Sequence, residues 1–113
     1  MNVNQRIEKA LSGYVDGNIW PLSCPLNERP DKWITYNPEI EEAELYADDT
    51  DLEWGQYMQV HWFAKGQVNY ITARKEIRSL LQEAEFSVTD IDQDYEEDTG
   101  ITHLVFSCNT IEE

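Results

Sequence analysis

The chain has two histidines, His61 and His103. Both fall in segments whose side chains alternate as they do along a β-strand. Two such residues can sit side by side across a sheet. No Cys or Ser motif pairs with either one, as a nucleophile–base pair requires, so both read as partly exposed sheet residues. The run Asp90-Ile91-Asp92-Gln93-Asp94 places acids where a calcium-binding loop has its first, third and fifth ligands. However, Tyr95 stands where that loop needs Gly for its sharp turn, and Ile101 where it needs a bidentate Glu. Asp92, Asp94, Glu96, Glu97 and Asp98 therefore read as a solvated acidic hairpin. A second acidic cluster, Asp48, Asp49, Asp51 and Glu53, runs into Trp54. It marks either a contact surface, because aromatics are enriched in interface cores, or a turn whose Trp folds back on the sheet. Phosphate-binding, nucleophile-elbow and zinc-protease motifs are absent from the sequence. No catalytic, cofactor-binding or metal-ligating residue is assigned, and no cofactor is expected.

The bases are few and clustered. Arg74, Lys75 and Arg78 are three of eight Lys and Arg and fall on one predicted helix. Arg74 and Arg78, four apart, share a face of it. They either offset acids of their own chain, such as Glu85, or meet the acidic cluster of a neighbouring copy. A head-to-tail ring needs two different, complementary patches on each subunit, and this sequence contains both kinds.

Composition narrows the classes further. In 113 residues, 23 Asp and Glu outnumber the bases to give a net charge of -15. Glu39–Glu53 and Asp92–Asp98 hold thirteen of those acids and no base. A broad phosphate-binding face is excluded, because such faces need clustered Lys and Arg, and docking on anionic lipid is opposed. A hydrophobic fraction of 41% with 12% aromatics excludes a disordered acidic tail. With no long apolar run and no signal-peptide pattern, and with Cys24 and Cys108 far apart, the expectation is a protein made in a cytosol with both thiols reduced.

The elements that position these residues follow from periodicity. Val3, Ile7, Ala10, Leu11 and Tyr14 recur on one helical face, with Asn2 or Asn4 as cap and Gly13 or Gly17 as stop. Residues 17–32, with Gly17, Pro21, Pro25 and Pro30, read as an irregular crossing loop. Its Ile19, Trp20, Leu22, Cys24 and Leu26 are expected to pack. Strands are predicted at 33–36, from about Glu42 to Tyr46, and at 56–64, the last with Met58, Val60, Trp62 and Ala64 toward the core. Asn69 caps a helix over 70–85 whose apolar stripe is Ile71, Ile77, Leu80, Leu81 and Ala84. A strand at 86–91, an acidic hairpin from Asp92 to Gly100 and a return strand at 101–108 complete the chain. The expected class is α+β: an antiparallel sheet of four to five strands with two helices packed on one face. The order is α-β-β(-β)-α-β-β, in one domain spanning residues 1–113.

Read together, several stretches resemble a known family. They are Trp20-Pro21-Leu22, Ile34-Thr35-Tyr36-Asn37, Tyr46-Ala47-Asp48-Asp49, Tyr57-Met58-Gln59-Val60-His61-Trp62-Phe63 and Ile77-Arg78-Ser79-Leu80-Leu81. With the short first helix and the acidic closing hairpin, they resemble the tail-terminator, or tail-completion, proteins of long-tailed phages and prophages. The resemblance implies a non-enzymatic structural protein of the virion tail, made in the bacterial host cytoplasm. Such a protein forms a hexameric ring that caps the tail tube, ends its polymerisation and joins the head. Its partners would be further copies of itself, the tail tube protein and a head-completion or connector protein. DNA would pass the ring without specific binding, and no membrane is involved. Arg74, Lys75, Arg78 and Trp54 would then be interface residues, and the two acidic stretches would line the ring or face a partner. The alternative from charge alone is an acidic binding or inhibitory module, such as an immunity protein or DNA mimic, for a basic partner.

Overall fold

The computed structural model describes residues 1–39 and 55–111. The expected strand at 42–46, the acids Asp48, Asp49, Asp51 and Glu53, and Trp54 lie outside the described residues.

Helix α1, Val3–Leu11, starts at Asn2, whose side chain accepts from the Gln5 backbone N–H while the Gln5 side chain accepts from the Asn2 N–H. That reciprocal capping box satisfies two donors a helix start leaves free. A short 3-10 turn, Ser12–Val15, leads to Gly17, which takes a positive φ of 82°. Strand β1, Ile19–Pro21, is followed by β2, Lys32–Pro38, β3, Gly55–Lys65, α2, Tyr70–Glu83, β4, Ser87–Glu96, and β5, Ile101–Ile111. The sheet order is β1-β2-β3-β5-β4. All pairings are antiparallel except β1 with β2.

Strict alternation builds the core. Ile34 and Tyr36 of β2, Met58, Val60, Trp62 and Ala64 of β3, and Leu104, Phe106 and Cys108 of β5 are buried against Val3, Ile7 and Leu11 of α1 and Ala73, Ile77 and Leu81 of α2. Both helices therefore cover one face of an α+β sheet, as expected. Polar contacts tie the layers together. The Tyr36 hydroxyl donates to Glu8 of α1. Burial, with that carboxylate, raises its pKa far above the usual phenol range. The Arg6 guanidinium donates to the Ala84 carbonyl at 2.8 Å and to the Thr110 hydroxyl at 2.9 Å, and lies over the Phe86 ring.

Three expectations change. The crossing at 17–32 is not wholly irregular: Ile19, Trp20 and Pro21 pair in parallel with Ile34, Thr35 and Tyr36. Pro21, which lacks an N–H, is tolerated because this is an edge strand. The apolar residues of the crossing are only partly packed. Ile19 is buried and Trp20 and Cys24 are half-buried, but Leu22 and Leu26 are 73% and 47% exposed. In α2, Ile71 is 52% exposed and Ala73 takes the inward position. Ile71 lies about 200° around the helix from Ala73, so it faces outward in the first turn, where Asn69 accepts from the Ile71 and Thr72 N–H groups.

The end of α2 stores strain. Glu85 has φ of 70°, with its N–H bonded to the Gln82 carbonyl and the Phe86 N–H bonded to the Leu81 carbonyl. That pattern closes helices and favours Gly at the left-handed position. Glu85→Gly is expected to raise unfolding stability by about 1 kcal/mol in urea titration, because a side chain in this conformation is strained by roughly that much. Ile77→Ala is expected to cost about 2–5 kcal/mol, whereas the exposed Ile71→Ser should stay within about 0.5 kcal/mol.

Candidate functional site

The sheet face away from the helices carries the chemistry-bearing residues. Their positions follow from register. Trp33 pairs with Phe63, Thr35 with His61 and Asn37 with Gln59. His61 pairs in turn with Val105, and Phe63 with His103, while Asp94 and Glu96 of β4 pair with His103 and Ile101. One row of this face is aromatic. Trp33 and Phe63 stack with ring centres 4.9 Å apart, and Phe63 stacks on His103 at 4.3 Å. The Arg29 guanidinium lies 5.6 Å from the Trp33 ring. That cover, with the stacking, leaves Trp33 only 1% exposed.

Beside this row runs a polar relay across four strands. His61 Nε2 is 3.1 Å from Asn37 Oδ1, His61 Nδ1 is 3.0 Å from His103 Nε2, and His103 Nδ1 is 3.7 Å from Glu96 Oε2. The Asn37 amide nitrogen donates to the Pro38 carbonyl, so its oxygen faces His61 as acceptor. His61 therefore carries its proton on Nε2 and accepts at Nδ1, which requires His103 to donate from Nε2. The lone pair left on His103 Nδ1 faces Glu96, so the first proton the pair takes up belongs there. Burial lowers the pKa of both rings; His103 lowers His61 further, while Glu96 and Asp94 partly offset the effect on His103. The two sequence-distant histidines are thus partners and half-buried.

The acidic hairpin differs from its expectation. Strand β4 runs through Glu96, so Asp92, Asp94 and Glu96 are strand residues and only Glu97 and Asp98 lie in the turn. A register shift between Val88 and Asp90 leaves Thr89 as a bulge, its hydroxyl donating to the Ser107 carbonyl. Without the bulge, Asp90 would share Val88's inward face. With it, Ile91, Gln93 and Tyr95 turn to the helix side, and Asp90, Asp92, Asp94 and Glu96 turn away. Strong acids ended the predicted strand early because one extra residue in the pairing is invisible to a strict two-residue period.

The helix-layer bases separate. Arg74 is half-buried and donates to Gln93 of β4 at 3.4 Å. Lys75 and Arg78 are exposed, and among the described residues no ion pair joins Arg74, Lys75 or Arg78 to Glu85 or any other acid. Lys75 shares a groove between α1 and α2 with Lys9, Ala10, Tyr14 and Leu80. Lys9 was not singled out by spacing because it belongs to a different element. Cys108 is buried, and burial, with Glu39, pushes its thiol up to about 12, which removes it as a nucleophile at neutral pH. Among the described residues no group of three His, Cys, Asp or Glu is placed to hold a metal ion.

Two measurements check the relay. Nitrogen shifts of both rings at pH 8 should show the Nε2–H tautomer. The lowered pKa values favour the neutral rings in the folded state. Their contribution to stability is therefore whole above the ordinary value of 6.5 and falls as pH drops through that value toward the folded pKa. His61→Gln should flatten the loss of stability below pH 6.5, read by urea unfolding at successive pH values.

No family model matches the sequence, and no curated protein is similar to it. Among solved structures, a chain in "Virion of native gene transfer agent (GTA) particle" shares the fold with a TM-score of 0.68 at 9% identity. The likeness covers 99% of this chain and 96% of that one.

Proposed function

We propose that this protein is a non-enzymatic structural component of a phage or phage-derived virion. The observation that carries the reading is the likeness to a virion chain over nearly the whole length of both chains.

Within that class, the protein acts at the end of the tail. It caps the tail tube as a ring of copies, which the resemblance makes hexameric, ends polymerisation and presents the surface that joins the head. Lys75 and Arg78, with Trp54, meet a neighbouring copy. The acids Asp48, Asp49, Asp51 and Glu53 line the lumen or lie at that contact, where negative charge lets DNA pass without adhering. Asp92, Asp94, Glu96, Glu97 and Asp98 face a further protein. Segregated charge supports this division. Helix α1 sets Arg6 and Lys9 against Glu8, and α2 sets Arg74, Lys75 and Arg78 against Glu76 and Glu83. Each helix thus has one net positive charge on a molecule of net charge -15.

Tails assembled without this protein should be overlong and headless when imaged. Normal-length headless tails would assign it to joining alone. Light scattering with tail tubes present should detect rings, and Lys75→Glu with Arg78→Glu should abolish them without unfolding the chain. A strict monomer that ignores tail tubes but forms a tight one-to-one complex with a basic enzyme would replace this reading with the inhibitory module.

A further inference from the structure

We propose that the outer edge of β4 is a strand-addition site for an extended segment of another protein, with basic side chains at alternate positions and apolar ones between them. This inference rests on the edge itself and holds whether or not the protein forms a ring.

Three observations carry it. The first is the edge. Strand β4 is ten residues long and ends the sheet order, so its outer N–H and C=O groups lack a strand partner among the described residues. Long edges template pairing unless they are blunted or used; here the bulge lies near one end and leaves Asp90–Glu96 in regular register, and the acids there turn away an acidic edge while admitting a basic one. The second is the face away from the helices, where Asp90, Asp92 and Asp94 are exposed and Glu96 is half-exposed. After the Thr89 bulge they recur every second residue. A strand laid along β4 places every second side chain opposite these acids, at the separation where cross-strand ion pairs form. The third is a cleft of about 480 Å³ that opens beside the same edge on the helix side, lined by Val68, Tyr70 and Tyr95 together with the polar Gln67, Gln93 and Thr102, and bordered by Asp94. The intervening side chains of an added strand enter this cleft. Backbone bonds supply affinity, and the two faces supply specificity, as in other strand-addition sites.

The occupant is not a second copy of this chain. Two β4 edges brought together oppose acid with acid, and β1, the other edge, is three residues long and ends at Pro21. Among the described strands, only β2 and β3 carry a base, Lys32 and Lys65, one each. No strand here offers bases at alternate positions.

The probe is a short synthetic peptide alternating Lys with Val, compared with the same peptide N-methylated on the amides of one edge and with a composition-matched peptide whose Lys residues are consecutive. The expected result is binding of the first peptide with amide exchange slowed at least about tenfold within Asp90–Glu96. Affinity should fall with added salt, and about tenfold on replacing Asp92→Asn together with Asp94→Asn. Both acids are exposed, so this variant is expected to fold, which its circular dichroism checks. The proposal is overturned if the N-methylated or blocked peptide binds as well as the first, because binding is then electrostatic alone. It is equally overturned if protection appears away from β4, if no peptide binds, or if β4 becomes protected by raising the protein concentration without peptide.

Discussion

The pairing of β3 with β5 is the constraint on which the rest of the molecule depends. Eleven residues of β3 match eleven of β5 without a shift, from Gly55 opposite Ile111 to Lys65 opposite Ile101. A slip of one residue would exchange the faces of the whole ladder. In the observed register Met58, Val60, Trp62, Leu104, Phe106 and Cys108 meet the helices. The same register sends His61, Phe63, His103 and Val105 to the other side. The core and the relay are thus one decision, and neither face can be altered in register without the other.

The strands on either side of that ladder are treated differently. On one side β2 continues the alternation and β1 adds a short parallel edge closed by Pro21. On the other side β4 pairs through Ser87 and Val88, loses one residue to the bulge at Thr89, and resumes from Asp90 to Glu96. That bulge lets a strand with four acids in seven residues, Asp90 to Glu96, join the sheet without burying any of them. Unpaired carboxylates in the core would cost several kcal/mol each; turned outward, they remain solvated and charge the edge. Charge therefore becomes directional, with acids along one sheet edge and exposed bases on the helices.

Much of this is legible in the residues. The alternation in 56–64 identified the inward set of β3 correctly, and Asn69 marked the start of α2, while for α1 the sequence left Asn2 and Asn4 open and the structure selects Asn2. Other features were not legible. The parallel pairing of Ile19–Pro21 brings together segments fifteen residues apart, and a run rich in Pro carries no local strand pattern. The contact of Lys9 with the groove that holds Lys75 joins two helices whose spacing in sequence says nothing about their packing.

By itself, the sequence determined the class of fold and the inward faces of the central strands, because burial follows local periodicity. It also fixed the net charge and the scarcity of bases. Only the tertiary structure decided that His61 and His103 share a proton, since forty-two positions separate them and only strand register closes that distance. It alone turned Asp92, Asp94 and Glu96 from a loop into a strand edge, because a bulge is a property of two strands paired together. The chemistry was present in the chain, and the pleat and register of the sheet determined which groups would face one another.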